Sequence, residues 1–553
     1  MIQATSFRAN FMWQLTGFLI GFCLTTFSSA EETARVTITL TEAGADGESK
    51  PVPGMIRCTN SDRKPVVLDA LLNRGTGIAL SGDTVDREIH SWSVLPGTVT
   101  ISLPREVIRL EAISGIETEL ATTTLDLSDK SEAEVTIPLV RFGQPTLQGQ
   151  RSANTHLHIM KLSRDECDRY LTEIPAADRL DVVFVSHLER AVADATYITN
   201  RYSTDDLKNL TQTTGVLFGW GEEHRHNMNE GDEGYGHVML LNIQELIQPV
   251  SIGKGIMKQG TDGIPLARGI LSAKRQGGTV VWCHNGWGRE STPNLFQKNI
   301  DAVNIFDGGT RSSYADSFYR WLNAGLRVPF STGTDWCQYD FSRVYARMEE
   351  PVTVENWLRA LRLGRTFITN GPLLDLKVND HDIGDTLQHS TAAGKLHVQA
   401  TAKGRRDFDR LEVVLDGEIV IAKKSHAVDG HFEAVIDEML PVKESGWLAV
   451  RTPPPSVPDE ATRADKTPLN EYGREIFSHT SPIYIEIDEK KHFDAETAHR
   501  LLLEMELHRD FIRDQFEFAD IHERAHVLQV YDDGIKAVEQ QLTTVEAGTS
   551  DNQ

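Results

Sequence analysis

Between about residue 150 and residue 371, short apolar runs alternate with helix-like stretches, and run after run stops at a histidine or a carboxylate. The runs fall at 154–160, 181–187, 215–223, 237–243, 279–285, 302–307 and 327–335. Helical patterning separates several of them, at 205–210, 263–275, 313–324 and 354–363. Strand, helix and strand in repetition predict a parallel sheet with crossover helices. Seven such strands closing on themselves give an α/β fold of the β/α-barrel kind, with function at the carboxyl ends of the strands. An open doubly wound sheet is the alternative, and no glycine-rich phosphate fingerprint follows the first strand to support it.

The segments on either side have a different texture. From about 33 to 147 the residues alternate in the β manner, as in Val36, Ile38 and Leu40, and glycine, proline and aspartate cluster between the runs. This predicts an antiparallel sandwich without chemistry of its own. After Pro372 the β texture returns, with runs at 396–402, 411–415, 447–450 and 483–485 and a hairpin signal at Asp416-Gly417. Residues 493–542 lack proline and read as one or two helices, with a break expected at Gly534. The expected organisation is a leader at 1–30, a sandwich at 31–149, the barrel at 150–371, a second sandwich-like unit at 372–490 and a helical tail at 491–553.

Arg8, the apolar run from Phe11 to Phe27 and the small residues Ser28-Ser29-Ala30 describe a secretory signal peptide cleaved after Ala30. Export to the periplasm or the extracellular space follows, with no stable membrane anchor after cleavage. The formal net charge of −24 becomes −25 once Arg8 is lost. A surface this acidic repels polyanions, so nucleic acid is not an expected partner and a small-molecule substrate is. Four cysteines follow the leader, Cys58, Cys167, Cys283 and Cys337, too few for a disulfide scaffold. Sequence does not decide their pairing or the oligomeric state.

The strand ends carry the chemistry. His156 and His158 are two apart, so in a strand both imidazoles face one side and can meet one ion. Taken alone such a pair is weak evidence. The next strands end in Ser186-His187, in Glu222-Glu223 and in Cys283-His284, His237 opens another, and the last ends in Thr334-Asp335. Each alone has a bland reading, as a core histidine bonded to backbone or a carboxylate capping a helix. Recurring at one end of one sheet, they need partners, because buried polar groups must be satisfied. A divalent metal would satisfy them together.

In this order, His-x-His, strand-His, Gly-x-Glu, Gly-His, strand-His and Gly-x-Asp, the sequence resembles the polymerase and histidinol phosphatase (PHP) superfamily. It is most similar to the CehA/McbA-type, carbaryl-hydrolase-like metallohydrolases. The stretch Gly364-Arg365-Thr366-Phe367-Ile368-Thr369-Asn370-Gly371-Pro372 matches that branch, as do Trp447-Leu448-Ala449-Val450-Arg451 and His479-Thr480-Ser481-Pro482. The resemblance spans roughly 150–490 and implies a distorted seven-stranded barrel flanked by β-sandwich-like domains, a metal centre and hydrolysis. Carried over by position, it implies His156, His158, Glu223, His237, His284 and Asp335 as metal ligands. Glu222 is the alternative carboxylate beside Glu223, and Asp165 stands where the family has an acid after the first strand. Two departures stand out. Ser186 replaces the aspartate before His187, and Cys337 occupies the place of a final histidine, either as a substitute ligand or as a small core thiol.

The expected cofactor is one or two divalent ions, zinc favoured, with manganese or iron as alternatives. The expected activity is hydrolysis of a phosphoester, ester or carbamate bond, with His187 and Glu223 as the groups that move protons. His224 and His226 are candidate substrate contacts, and Arg365 a third, against a plain structural ion pair. The rival from another class is an exported binding protein for carbohydrate or a protein partner, with a degraded barrel. An open coordination position separates the two readings, since only an enzyme needs it.

Overall fold

The first strand of the amino-terminal unit, Thr33–Ala43, buries Ala34, Val36, Ile38 and Leu40 and leaves the intervening residues outward, the period-two pattern of a half-buried strand. The structure, a computed structural model, describes residues 32–44, 47–79, 88–190, 197–229, 233–390, 394–455 and 468–550. The leader expected at 1–30 lies outside the described residues. Two sheets face each other across the core that these residues share with Ile56, Leu95 and Leu110. Most pairs are antiparallel, as expected for a sandwich. Thr33–Ala43 and Glu132–Pro138, however, run parallel, because the first and last strands of the unit lie side by side and the whole unit connects them.

The central sheet begins with β1 (Gln150–His158), followed by α1 (Arg164–Ala177), β2 (Val182–His187), α2 (Thr204–Thr214) and β3 (Leu217–Asn227). β4 (Glu233–Leu241), α3 (Leu266–Arg275), β5 (Thr279–Trp282), β6 (Ala302–Asn304) and β7 (Phe330–Ser331) come next. β8 (Asp335–Trp336), β9 (Arg343–Arg347), α4 (Val354–Arg362) and β10 (Thr366–Thr369) complete this stretch. α1 escapes the periodicity reading, but Ser163 and Glu166 form a capping box at its start. β1, β2 and β3 pair in parallel, as do β5, β6 and β7. β8 pairs with β1 on the side opposite β2, so the sheet curls around toward its first strand.

β4 departs from the expected all-parallel order and runs antiparallel to both β3 and β5. The reason is chain length. β3 ends at Asn227 and β4 starts at Glu233, whereas a parallel crossover takes about a dozen residues or more. The chain at 313–324 is also less regular than expected: a π-type turn, Ala315–Tyr319, runs into the short helix Arg320–Asn323.

The carboxyl-terminal strands are not a sheet apart. Ser478–Thr480 pairs with β10, which joins strands of the second unit to the curled sheet in one 17-stranded network, beside a separate 5-stranded sheet. The expected hairpin at Asp416-Gly417 joins Arg410–Leu415 to Glu418–Lys424, and both turn residues have positive φ, 53° and 101°. The tail forms α5 (Ala495–Gln515) and α6 (Ile521–Ser550). Its break falls at 516–520, not at Gly534. Asp520 accepts the first amides of α6, from His522 and Glu523, whereas a Cβ at Gly534 would stand 2.6 Å from Pro293, so that glycine serves close packing. No helix among the described residues is long and apolar enough to cross a membrane. Cys58, Cys167, Cys283 and Cys337 are all buried and unpaired.

Candidate metal centre

β1 delivers His156 and His158 on one face, next to the inward face of β3 and the start of β8. His156, His158, Glu223 and Asp335 each place a ligand atom within 4.8 Å of the others, and all four are buried. Glu223, His237 and His284 form a second such group, so Glu223 belongs to both. One oxygen of Glu223, Oε2, stands 3.1 Å from His158 Nε2 and 3.7 Å from His156 Nε2. The other, Oε1, stands 2.9 Å from His237 Nδ1 and 3.9 Å from His284 Nε2.

The tautomers follow from what each ring bonds on its far side. His158 Nδ1 lies 3.0 Å from the carbonyl of Ser186, an acceptor only, so Nδ1 carries the proton and Nε2 a lone pair. His156 Nδ1 lies 2.8 Å from Asp307 Oδ2, and His284 Nδ1 lies 3.1 Å from Asp307 Oδ1. Their Nε2 lone pairs therefore face inward. His237 Nε2 donates to Asn227 Oδ1 at 2.6 Å, which leaves Nδ1 as its lone pair. With both rings neutral, acceptor faces acceptor: His156 Nε2 is 3.1 Å from His158 Nε2 and 3.3 Å from Asp335 Oδ1. Glu223 Oε1, His237 Nδ1 and Asp335 Oδ1 are buried with no hydrogen bond at all. The 2.9 Å approach of His237 to Glu223 thus has no donor between the atoms. A divalent cation fits this donor set, and nitrogen with carboxylate oxygen is the ligand mix that suits zinc or a similar ion.

Charge in the cluster follows the same logic. Burial alone would push the His156 ring down, but Asp335 and Asp307 outweigh it and hold the ring well above its usual range. His284 is raised in the same way by Asp307. Burial pushes His237 down to about 3, so it stays neutral. Against burial, the charge of Arg225 holds Glu223 well below the usual carboxylate range. Burial and the charge of Glu223 raise Asp335. Without a cation the ring of acids draws a proton onto His156; a metal ion meets the same demand and reaches four donors at once.

The backbone is bent to make this arrangement. His284, Asn285, Phe306, Asp335 and Cys337 all have φ between 53° and 60°, a sparsely populated region for residues with side chains. Gly333 is needed where β8 approaches β1, because a Cβ there would stand 2.6 Å from His156.

Several expected site residues lie elsewhere. In β3 alternate side chains face opposite sides, and with Glu223 inward, Glu222, His224 and His226 point out. Glu222 Oε2 accepts the amide of Ile247 at 2.8 Å, and His224 packs under Gly269 of α3. His226 stacks on Tyr235 and bonds Asp262 at 2.9 Å, so it is a core residue. His187 is in register with Glu222, shares its outward face and lies 3.3 Å from Glu189. Ser186, in register with Gly221, takes the inward place. Asp165 is exposed in the first turn of α1, where a negative charge complements the helix dipole. Cys337 sits in the apolar core near Gly77 and Leu162, outside both ligand groups, and burial pushes its thiol up to about 12. Arg365 accepts the amide of Arg347, which is in register with Gln150, so it lies at the amino end of β1, opposite the cluster.

Three residues of the site do not follow from the motif order. Asp307 bonds two of the ligand histidines, and Cys283 lies within 4.8 Å of His156 and Asp307. Arg225 is buried beside Glu223, its Nη1 3.4 Å from Oε2 and its Nε without a partner. The signals were present: the run at 302–307 also ends in an acid, and Arg225 has the same strand parity as Glu223.

No protein-family profile matches the chain. No curated protein matches it either. Among solved structures it is similar to a two-domain protein from Bacteroides vulgatus containing a predicted PHP-like metal-dependent phosphoesterase. That likeness has 12% identity and a TM-score of 0.31, over 55% of this chain and 90% of that one. It is also similar to the β-glucuronidase of Parabacteroides merdae, at 8% identity and a TM-score of 0.14, over 82% of this chain and 64% of that one. Likenesses this slight carry no argument about fold or activity.

Proposed function

We propose that this chain is an exported metal-dependent hydrolase, a CehA/McbA-type member of the PHP superfamily, that cleaves a phosphoester, ester or carbamate bond. The observation that carries the reading is the inward convergence of histidine lone pairs and unbonded carboxylate oxygens in a buried cluster. The curl of the sheet, with β1 between β2 and β8, supports a distorted seven-stranded barrel as the frame.

His156, His158, Glu223 and Asp335 would hold one ion, and Glu223, His237 and His284 a second, with one oxygen of Glu223 turned toward each. Bound divalent ions lower the pKa of water to about 7 and polarise the oxygen of the scissile bond. The residues of the chain divide the remaining work. Glu223, kept ionised by the charge of Arg225, would hold the ions and carry no proton. Arg225, with an unbonded Nε inside the cluster, is suited to stabilise the negative charge that develops on oxygen in all three reactions. His187 faces Glu189 and takes no part.

The test is a hydrolysis panel of aryl phosphate, aryl ester and aryl carbamate substrates, run on protein stripped with chelator and then reloaded with zinc, manganese or iron. Turnover of one class that needs the metal and falls ~100-fold or more in Glu223→Gln is the expected outcome. A chain that binds metal yet turns over none of the three classes would overturn the hydrolase reading and favour a binding protein.

A further inference from the structure

Asp307 is fully buried one residue past a φ-positive Phe306, and each oxygen of its carboxylate accepts from two donors. Oδ1 accepts the backbone N–H of His284 at 2.8 Å and the Nδ1–H of His284 at 3.1 Å. Oδ2 accepts the Nδ1–H of His156 at 2.8 Å and the side-chain amide of Asn304 at 3.2 Å. His156 belongs to the first ligand group and His284 to the second. One carboxylate therefore sets the tautomer of a histidine in each. We infer that Asp307 is a positioning residue that couples the two halves of the centre, turning the Nε2 lone pair of His156 and of His284 inward together. The inference rests on the metal-centre reading above and adds a role for a residue that is not itself a ligand of either ion.

The two oxygens are not equivalent, and the difference gives the inference its test. In Asp307→Asn one oxygen becomes an NH2 group. It cannot occupy the Oδ1 place, where the backbone N–H of His284 is a fixed donor. It can occupy the Oδ2 place, because the Asn304 amide can turn its oxygen to meet it, its NH2 then donating to Thr155 Oγ1 while that hydroxyl donates to the carbonyl of Thr332. The NH2 then faces His156 Nδ1, which must accept; the ring proton moves to Nε2, and His156 is lost as a ligand. Asp307→Asn should thus disable the first group and spare the second. Asp307→Ala releases both rings.

The experiment is calorimetric titration of zinc into chelator-stripped full chain, with circular dichroism and a thermal melt as the check that each variant is folded. Histidine ring nitrogen NMR on the zinc-loaded protein reads the His156 tautomer directly. The expected result is two binding events in the wild type. In Asp307→Asn, one is weakened ~10–100-fold, the loss typical of removing a group that orients a metal-ligating histidine, and the His156 proton moves to Nε2. In Asp307→Ala both events weaken. Folded variants that bind as the wild type does, or an Asp307→Asn that weakens both sites equally with His156 unchanged, would overturn the inference while leaving the metal centre standing. A wild type that takes up no zinc would remove the metal-centre reading itself, and the inference with it.

Discussion

His156 is the residue at which most of the physics meets. Its ring is buried against carboxylates on two sides, and in the metal-free chain Asp335 and Asp307 outweigh burial to keep it charged well above its usual range. His284 behaves alike. A group raised on folding stabilises the fold fully below its unfolded value, near 6.5, and that contribution is lost as pH rises through the folded value. Metal competes for the same lone pairs and binds as the protons leave. The thermal shift produced by a fixed excess of zinc should therefore grow as pH rises from about 6 to about 9, and calorimetric melts with and without metal will show it. A shift independent of pH would mean that the histidines of the cluster are not the ligands. Much of this centre was legible in the sequence. The His-x-His spacing and the strand ends pointed to His156, His158 and Asp335, whereas the choice between Glu222 and Glu223 stayed open until the strand register turned Glu223 toward the cluster. His187, Glu222, His224 and His226 were misplaced because which parity of a strand faces inward is set by packing and register, not by the residues themselves.

At the scale of elements, α3 shows a cap that sequence cannot supply locally. Its N-terminus follows Pro265, which offers no side-chain cap, and the first amides are instead met by Glu290. The carboxylate accepts from Leu266 at 3.3 Å and Ala267 at 3.0 Å. Burial outweighs these donors and pushes Glu290 up to about 8. Its contribution is complete below the unfolded value of 4.5 and is lost as pH rises through about 8. Glu290→Gln cannot ionise, so wild type should lose stability relative to this variant across that window in urea unfolding series. A constant difference between the two across the window would show that Glu290 does not titrate as described. A cap brought from 23 residues beyond the amide of Ala267 leaves no local pattern. The same holds for β4: the periodicity reveals a strand, while its antiparallel direction follows from the short connection after Asn227.

Across the whole molecule the units that read as separate in sequence share their cores. Met55, Trp92 and Ile113 of the amino-terminal unit pack in one cluster with Tyr170 and Leu171 of α1 and Val398 and Leu448 of the carboxyl-terminal strands. Arg74 spans the first junction: buried, it pairs with Asp178 at the end of α1 at 2.6 Å and also donates to the carbonyl of Gln338. Arg405 makes the second junction, bonding the carbonyls of Gly115 and Thr118 and pairing with Glu471. Composition gives the strands of each unit, but side chains that meet from opposite ends of the chain are visible only once folded. Arg74→Met leaves Asp178 buried without its charge partner and should cost about 3–5 kcal/mol in urea unfolding, with metal content unchanged. A loss under about 1 kcal/mol would mean the junction is held by its apolar contacts alone. The central claim, that the curled sheet holds a metal centre at β1, β3 and β8, is tested most directly by metal content per chain. The protein is purified without added chelator or metal, beside a His156→Ala, His158→Ala double variant checked for folding. The account predicts one to two equivalents of zinc, manganese or iron in the wild type and a marked loss in the folded double variant. A wild type that carries no metal and takes up none on titration, or a double variant that keeps its full complement, would contradict it.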